Sequence, residues 1–210
     1  MARGRFITFE GGEGAGKSTQ LRRLADALTA SGIDVVMTRE PGGSPGAEEI
    51  RKLLVTGEPG RWDAETEALL HFAARRDHLI RTVWPALERG AWVLSDRFAD
   101  STMAYQGYAQ GLGRERVTDL YRLVVGDFAP DLTLILDVPS DQGLERAGGR
   151  GHYETRYERM GKAFHARLHE AFLDIAKREP RRCAVIDGTG PVDAVANAIR
   201  RAVRERLGKP

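Results

Sequence analysis

The sequence predicts a three-layer α/β fold in which helices cover both faces of a parallel β-sheet. Five short apolar runs recur along the chain, and they are continuous rather than alternating, which is typical of strands buried on both faces. Segments with helical periodicity separate the runs, and this order implies right-handed crossovers between parallel strands. A chain of 210 residues that is 41% hydrophobic suits one globular domain, so we expect residues 1–210 to form a single domain.

The predicted strands cover residues 5–9, 34–38, 91–95, 132–138 and 183–187. The predicted helices cover residues 17–29, 48–54, 64–89, 115–125, 157–177 and 192–207. Two stretches rich in glycine interrupt this pattern: "REPGGSPG" at 39–46 and the arginine-bearing "AGGRGHYETR" at 147–156. In open α/β sheets, ligands bind beyond the carboxyl ends of the strands, so the loops there are the first place to look for function.

Bulk composition limits the classes of partner. The net charge of +2 gives no whole-protein field for nucleic acid, and the single cysteine, Cys183, allows no intramolecular disulfide and suits a reducing compartment. No apolar run approaches the ~20 residues of a membrane span, and the start of the chain does not resemble a signal peptide. We therefore expect a cytoplasmic protein without nucleic-acid or membrane partners.

A glycine-rich loop, "FEGGEGAGKST" at 9–19, joins the first strand to the first helix. Its Gly11-x4-Gly16-Lys17-Ser18 pattern matches the phosphate-binding motif of nucleoside triphosphatases, and it predicts a P-loop NTPase fold. The glycines let backbone N–H groups turn onto phosphate oxygens, Lys17 neutralises the outer phosphates, and Ser18 offers a hydroxyl to Mg²⁺. Glu10 and Glu13 stand beside this anion site, where no balancing cation is evident from the loop alone.

A second metal ligand is expected at the end of another buried strand. Asp96 and Asp137 both occupy such a position. Asp96 is the favoured candidate because Arg97 follows it, which places a cation beside a carboxylate at the ligand edge of the sheet. A carboxylate that merely caps the next turn is the alternative for either residue.

The segment 64–89 carries an apolar stripe at helical spacing, on which an arginine, Arg76, falls. A buried arginine is unfavourable unless it meets an anion or a fixed acceptor. Phe72 and Arg76 are i,i+4 neighbours, so they could present an aromatic face and a guanidinium together to a planar base. The alternative is a structural ion pair of Arg76 with Asp100 or Glu49. The stripe consists of Leu69, Phe72, Leu79, Ile80, Val83 and Leu87.

Taken together, these motifs resemble the bacterial thymidylate kinases. The resemblance runs in order over nearly the whole chain, through FEGGEGAGKST, TREPGG at 38–43, the helix with Phe72 and Arg76, DRF at 96–98, STMAYQG at 101–107 and PDLTLILDV at 130–138. DRF followed by AYQG is its most specific part. It implies transfer of a phosphoryl group from ATP to dTMP, with Mg²⁺ as cofactor, and a homodimer.

The resemblance also implies roles for individual residues. ATP phosphates would be held by Gly11, Gly12, Glu13, Gly14, Ala15, Gly16, Lys17, Ser18 and Thr19, with Arg146 nearby, and the metal by Ser18 and Asp96. The acceptor would be bound by Glu10 (sugar), Arg51 (edge of the base pocket), Phe72 (stacking), Arg76 (base carbonyl), Arg97 (phosphate), Thr102 and Gln106 (base edge) and Tyr105 (sugar). The residues expected to act in catalysis are Lys17, Arg97, Glu10 and Arg156.

Some members of the family carry an arginine inside the phosphate loop, at the position that Glu13 occupies here. The resemblance then implies that arginines come from a lid at about 144–157, where Arg146, Arg150 and Arg156 are available. Arg156, in "TRYE", best fits the family's lid pattern, although extra glycines leave open which arginine reaches the phosphate. The alternative functions are a kinase for another pyrimidine nucleoside monophosphate and a nucleotide-dependent switch.

Overall fold

The fold is organised by one five-stranded parallel sheet with the strand order β2-β3-β1-β4-β5. The computed structural model describes residues 3–148 and 156–208. The strands are β1 (Phe6–Glu10), β2 (Val35–Arg39), β3 (Trp92–Asp96), β4 (Leu132–Asp137) and β5 (Cys183–Asp187). This confirms the predicted five-stranded parallel sheet, and each strand end lies within one residue of its predicted position.

The helices occupy the crossovers between the strands, as the sequence pattern predicts. Pro85 lacks a backbone N–H, and one turn before it the helix widens so that Trp84 N–H donates to the Leu79 carbonyl. The helices are α1 (Lys17–Ala30), α2 (Pro45–Val55), α3 (Ala64–His78), continued by π-helical Leu79–Val83 into α4 (Trp84–Glu88), α5 (Ala99–Thr102), continued by π-helical Met103–Ala109, α6 (Arg114–Val125), α7 (Ser140–Gly148), α8 (Lys162–Arg178) and α9 (Val192–Leu207).

Both faces of the sheet are covered, which gives the three layers. Ile7 and Phe9 of β1 pack with helices α1 and α9, whereas Phe6, on the opposite face, packs with α3, α4 and α6. A third apolar cluster joins Ile135 of β4 to α8 and the π-helical segment after α5. The strands are therefore rigid supports for the loops at their carboxyl ends.

No helix in the described ranges 3–148 and 156–208 combines the length and the apolar character that crossing a membrane requires.

The sheet itself offers a matched test of its packing. Leu94 of β3 and Met37 of β2 are register partners, yet Leu94 is fully buried and the Met37 side chain is 55% exposed. We expect Leu94→Ala to lower the free energy of unfolding by about 3 kcal/mol through lost burial and a residual cavity. Met37→Ala should cost less than about 1 kcal/mol. Urea denaturation measures both values, and equal losses would contradict the three-layer packing.

Candidate active site

The carboxyl ends of β1, β2 and β3 open into a cavity of about 670 Å³. Its walls come from the phosphate loop, the loop after β2, helix α3, the turn after β3 and the helical segment that follows it. The residues that line the cavity include Glu13, Gly14, Ala15, Gly16, Lys17, Ser18, Thr19, Glu40, Arg51, His71, Arg75, Asp96, Arg97, Thr102, Tyr105 and Gln106.

The phosphate loop is tightly held against the rest of the fold. Gly14 adopts a φ of 68°, and a Cβ on it would lie 1.8 Å from the carbonyl oxygen of Gly143 in α7. Lys17 is buried, and its Nζ donates to the carbonyls of Gly11 (3.1 Å) and Gly12 (2.7 Å). Burial and the nearby Arg97 lower the pKa of Lys17 to about 8, although neighbouring carboxylates oppose the shift.

Asp96 is the strand-end carboxylate that meets the phosphate loop. The Ser18 hydroxyl donates to Asp96 Oδ2 at 2.5 Å, so two oxygen ligands converge at the start of α1. Asp137, the other candidate, is instead 2.6 Å from His169 Nε2. Mg²⁺ is usually held by one or two protein oxygens together with phosphates and water, and the Ser18 and Asp96 pair fits that requirement. Within residues 3–148 and 156–208, no group of three or more His, Cys, Asp or Glu side chains could hold a metal.

Arg97 lines the cavity and makes side-chain contacts with two of its walls. It is the one non-glycine residue with positive φ (73°) in the part of the chain that the structure describes, a conformation that costs about 1 kcal/mol or more. Its Nη1 donates to the Gly11 carbonyl (3.1 Å) and Ser101 Oγ (3.0 Å). Its Nη2 donates to Glu13 Oε1 (2.9 Å) and the Tyr105 oxygen (3.0 Å). The guanidinium thus joins the phosphate loop to the helical segment after β3.

Glu10 lies below Arg97, where its side chain is fully buried. Its carboxylate accepts from Phe98 N (2.7 Å) and the Ser101 hydroxyl (2.6 Å), which fixes the segment that follows Arg97 in the chain. Burial, reinforced by Asp100, raises the pKa of Glu10 to about 8. Glu10 is not among the residues that line the cavity, so the structure gives no support to the expected contact between Glu10 and the acceptor's sugar. The buried hydrogen bonds make it a positioning residue.

Glu13 faces the cavity and shares Arg97 with Tyr105, whose hydroxyl donates to Glu13 Oε1 at 2.7 Å. Burial alone would raise the pKa of Glu13, but Arg97 and Lys17 outweigh it and lower the pKa to about 2. The cation that balances the acidic phosphate loop is therefore Arg97. The resemblance instead implies that the arginines come from the lid at about 144–157.

The buried arginine of α3 is Arg75, and the expectation that Arg76 points inward is wrong. Arg75 is 1% exposed, and it donates from Nε to Glu40 (2.8 Å) and from Nη2 to Thr102 (3.1 Å). Arg76 is exposed, donates to the Val124 carbonyl (3.0 Å) and lies over the Trp84 ring. Successive helix positions differ by about 100°, so i+3 and i+4 fit the stripe from Phe72 equally well. The predicted stripe includes Leu69 and Ile80, which are exposed in the structure, and including them shifts the predicted buried face towards Arg76.

Phe72 is buried behind Arg75 and does not line the cavity. The Arg75 Cζ lies 4.7 Å from the centroid of the Phe72 ring, and the ring edge packs on Tyr121. The face that was expected to stack on a base is therefore covered by a guanidinium. Arg75 and His71 form this part of the cavity wall instead.

Thr102, Tyr105 and Gln106, which the resemblance implies as acceptor-binding residues, lie on α5 and its π-helical continuation and line the cavity together. Gln106 Nε2 donates to Glu67 Oε2 at 2.9 Å. Gln106 Oε1 and Arg75 Nη1 are buried and find no hydrogen-bond partner among residues 3–148 and 156–208. An orphaned acceptor and an orphaned donor thus stand in the same cavity wall.

The other predicted arginines have separate positions. Arg51 lines the cavity and donates to the Pro41 carbonyl (2.7 Å). Arg146 donates to the carbonyls of Gly188 (3.2 Å) and Thr189 (3.4 Å), beyond β5. Arg150 lies outside the described residues.

Arg156 differs from expectation, because its guanidinium does not face the cavity. It is buried in an ion pair with Glu67, and it also donates to the carbonyls of Leu54 (3.0 Å) and Glu58 (3.2 Å). A guanidinium enclosed in this way is a structural group. In this structure Arg156 thus anchors α3 to the loop after α2, and its expected catalytic role stays a prediction.

Sequence reasoning missed a polar row on α3. Glu67, His71, Arg75 and His78 follow one another at spacings of four, four and three residues, which places them on one side of the helix. Glu40, in the loop after β2, accepts from Arg75 and lies 2.9 Å from His78 Nδ1. A helical row of ionisable residues among apolar ones is the signal that could have revealed this wall.

Comparison with known proteins identifies the chain's relatives. Residues 9–199 match the family model described as thymidylate kinase. A thymidylate kinase from Caulobacter vibrioides is 57% identical, covering 99% of this chain and all of the relative, and one from Bradyrhizobium sp. (strain ORS 278) is 53% identical over 98% of this chain and 92% of the relative. A crystal structure of thymidylate kinase from Ehrlichia chaffeensis superposes with a TM-score of 0.76 at 35% identity, covering 96% of this chain and 99% of that one.

The lowered pKa of Glu13 predicts a pH-dependent contribution to stability. A carboxylate whose folded pKa is about 2, below its ordinary 4.5, stabilises the fold above pH 4.5 and loses that contribution as the pH falls towards 2. The difference in unfolding free energy between the wild type and Glu13→Gln should therefore be constant above about pH 4.5 and shrink below it. Urea denaturation from pH 7 downwards measures this difference. A difference that does not change with pH would contradict the Glu13 and Arg97 pairing.

Proposed function

The chain belongs to the thymidylate kinase family and phosphorylates dTMP, and we propose that ATP is the donor, Mg²⁺ the cofactor, and dTDP and ADP the products. The proposal places the ATP phosphates on the loop at one end of the cavity and dTMP at the other. Phosphoryl transfer of this kind depends on positioning and on positive charge around the transferring group.

On the donor side, the backbone N–H groups of the phosphate loop and Lys17 hold the ATP phosphates. Ser18 and Asp96, which converge at 2.5 Å, are the residues that would hold Mg²⁺. The ion would supply positive charge that offsets the charge of the phosphate oxygens. Arg146 lies beyond the loop near Gly188 and Thr189, and we place it beside the base of ATP, where a guanidinium can stack on a flat ring.

The proposed acceptor site rests on two residues of the cavity wall, each with a buried polar atom that lacks a hydrogen-bond partner among the described residues. Arg75 Nη1 is a donor and Gln106 Oε1 is an acceptor, and both are buried. Thymine presents a 4-carbonyl acceptor next to a 3-NH donor, so its edge complements this pair. Cytosine presents the reverse pattern, an amino donor next to an unprotonated nitrogen. Buried polar groups left unpaired by a wrong base discriminate strongly against it.

Arg97 lies between the two substrates and binds the acceptor phosphate in this proposal. Its guanidinium is already oriented by Glu13, Tyr105 and Ser101, so little reorganisation is needed when charge develops on the transferring group. The acceptor phosphate is itself the nucleophile, and no proton-abstracting carboxylate is required. Glu10 acts by holding the strained backbone at Arg97, and Tyr105 lies next to the expected position of the sugar.

We also propose an oligomeric state and a cellular location for the protein. The helices α2 and α6 both pack against α3, and each of the three carries an exposed leucine (Leu53, Leu69 and Leu123); we propose that this side of the sheet forms a homodimer. Val83, which belongs to the same apolar stripe as Leu69, is buried in the core. A cytoplasmic location is proposed on the basis of the single cysteine, Cys183, which lies buried in β5.

A matched pair of variants on α3 tests the acceptor site. Arg75→Lys keeps the charge near Glu40 but removes the guanidinium fork that carries the unpartnered Nη1. We expect it to lower kcat/KM for dTMP roughly 10- to 100-fold, mainly through KM, because a charged hydrogen bond to the base is lost. Arg76→Lys, one residue on, should remain within about twofold of the wild type.

Steady-state assays with ATP and variable dTMP measure both constants, and thermal melting checks that both variants are folded. A larger loss for Arg76→Lys than for Arg75→Lys would contradict the placement of the base.

A further inference from the structure

Glu67 of α3 is a buried carboxylate that does not itself line the cavity. It contacts Gln106, one of the residues proposed to bind the base. We propose that Glu67 is a positioning residue that selects acceptors carrying a ring N–H, as thymine and uracil do, over cytosine. The inference rests on the proposed function, because it requires the base of the acceptor to lie against Gln106.

All the groups bonded to Glu67 are oriented as donors. Its side chain is fully buried, and Oε2 accepts from Gln106 Nε2 (2.9 Å), Gln110 Nε2 (2.8 Å) and the Tyr157 hydroxyl (3.2 Å). Its Oε1 accepts from the Arg156 guanidinium. An ionised carboxylate can only accept hydrogen bonds, so each of these neighbours must present an N–H or O–H to it.

The consequence falls on the Gln106 amide. A glutamine side chain has one acceptor end and one donor end of nearly equal size, and rotation by 180° exchanges them. With its NH₂ held by Glu67, Gln106, which lines the cavity, keeps Oε1 as its remaining acceptor, and that buried oxygen lacks a partner within residues 3–148 and 156–208. The polarity of the cavity wall is therefore set by the charge of Glu67, while Gln106 alone would accept either kind of base edge.

Arg75 is held by a corresponding arrangement. Glu40 accepts from Arg75 Nε and lies 2.9 Å from His78 Nδ1, so the Arg75 guanidinium is fixed with Nη1 as a buried donor that lacks a partner among the described residues. A fixed donor and a fixed acceptor then belong to two residues that line the same cavity. Arginine cannot reverse its polarity, whereas glutamine can, so the choice between the two base edges depends on the residue that holds Gln106.

Arg156 makes a buried negative charge at Glu67 tolerable. The two side chains are almost fully enclosed, and Arg156 is further fixed by the carbonyls of Leu54 and Glu58. Removing only one charge of a buried pair leaves the other uncompensated and destabilises the fold. A test at Glu67 therefore needs a charge-balanced version.

The experiment compares Glu67→Gln, the charge-balanced Glu67→Gln with Arg156→Met, and the control Gln110→Ala. The measured quantity is the ratio of kcat/KM for dTMP to kcat/KM for dCMP, with ATP as donor. We expect a wild-type ratio of at least about 10³, because a wrong base leaves buried groups unpaired. Both Glu67 variants should lower the ratio at least about tenfold, since a neutral amide at position 67 can accept or donate and lets Gln106 rotate.

Gln110→Ala removes a donor from the same Glu67 oxygen without touching the cavity, and its ratio should stay within about twofold of the wild type. A purely structural role of Glu67 would reduce turnover of both substrates in parallel and leave the ratio unchanged, which would overturn the inference. Melting temperatures show whether the single variant is folded, and the charge-balanced variant decides the question if it is not.

One further variant separates this inference from the proposed function. Gln106→Leu removes the amide but keeps a similar shape. If it leaves kcat/KM for dTMP unchanged, the base does not lie against Gln106 and the proposed acceptor site fails. If it lowers kcat/KM while the Glu67 variants keep the wild-type ratio, the acceptor site stands and only the role of Glu67 is wrong.

Discussion

The Arg97 guanidinium is the charge on which the ligand edge of the sheet depends. Arg97 adopts a left-handed backbone conformation after β3, and its four side-chain hydrogen bonds join the phosphate loop to the helical segment that bears Tyr105. Glu13 is acceptable in a loop shaped for anions because Arg97 neutralises it. Glu10, buried below, keeps the next residue in place through Phe98 N. The two carboxylates of the loop thus serve one arginine.

The same arrangement recurs at the other end of the cavity. Glu40 holds Arg75, and Glu67 holds Gln106, in both cases from the side away from the cavity. Each buried carboxylate occupies some of its neighbour's donors and leaves one defined group, Arg75 Nη1 or Gln106 Oε1, without a partner among the described residues. Such prior orientation lowers the reorganisation needed on binding and makes the direction of the hydrogen bonds, rather than their number, the source of specificity.

The sheet could be predicted from the sequence because strands buried on both faces are continuous apolar runs, and their bounds were found to within one residue. The phosphate loop was equally evident because its backbone geometry requires glycine at fixed spacing. Arg75 was missed because helical periodicity alone does not distinguish i+3 from i+4. The contacts of Glu10 and Arg156 could not be predicted because long-range partners such as Ser101 and Glu67 are fixed only when the chain has folded.

The most direct measurement is a crystal structure with dTMP and a non-hydrolysable ATP analogue bound together. The account predicts the acceptor phosphate within hydrogen-bonding distance, about 3 Å, of the Arg97 guanidinium. It also predicts the thymine 4-carbonyl on Arg75 Nη1 and the 3-NH on Gln106 Oε1. An acceptor phosphate remote from Arg97, with Arg97 still bound only to Glu13, Tyr105, Ser101 and the loop, would contradict it.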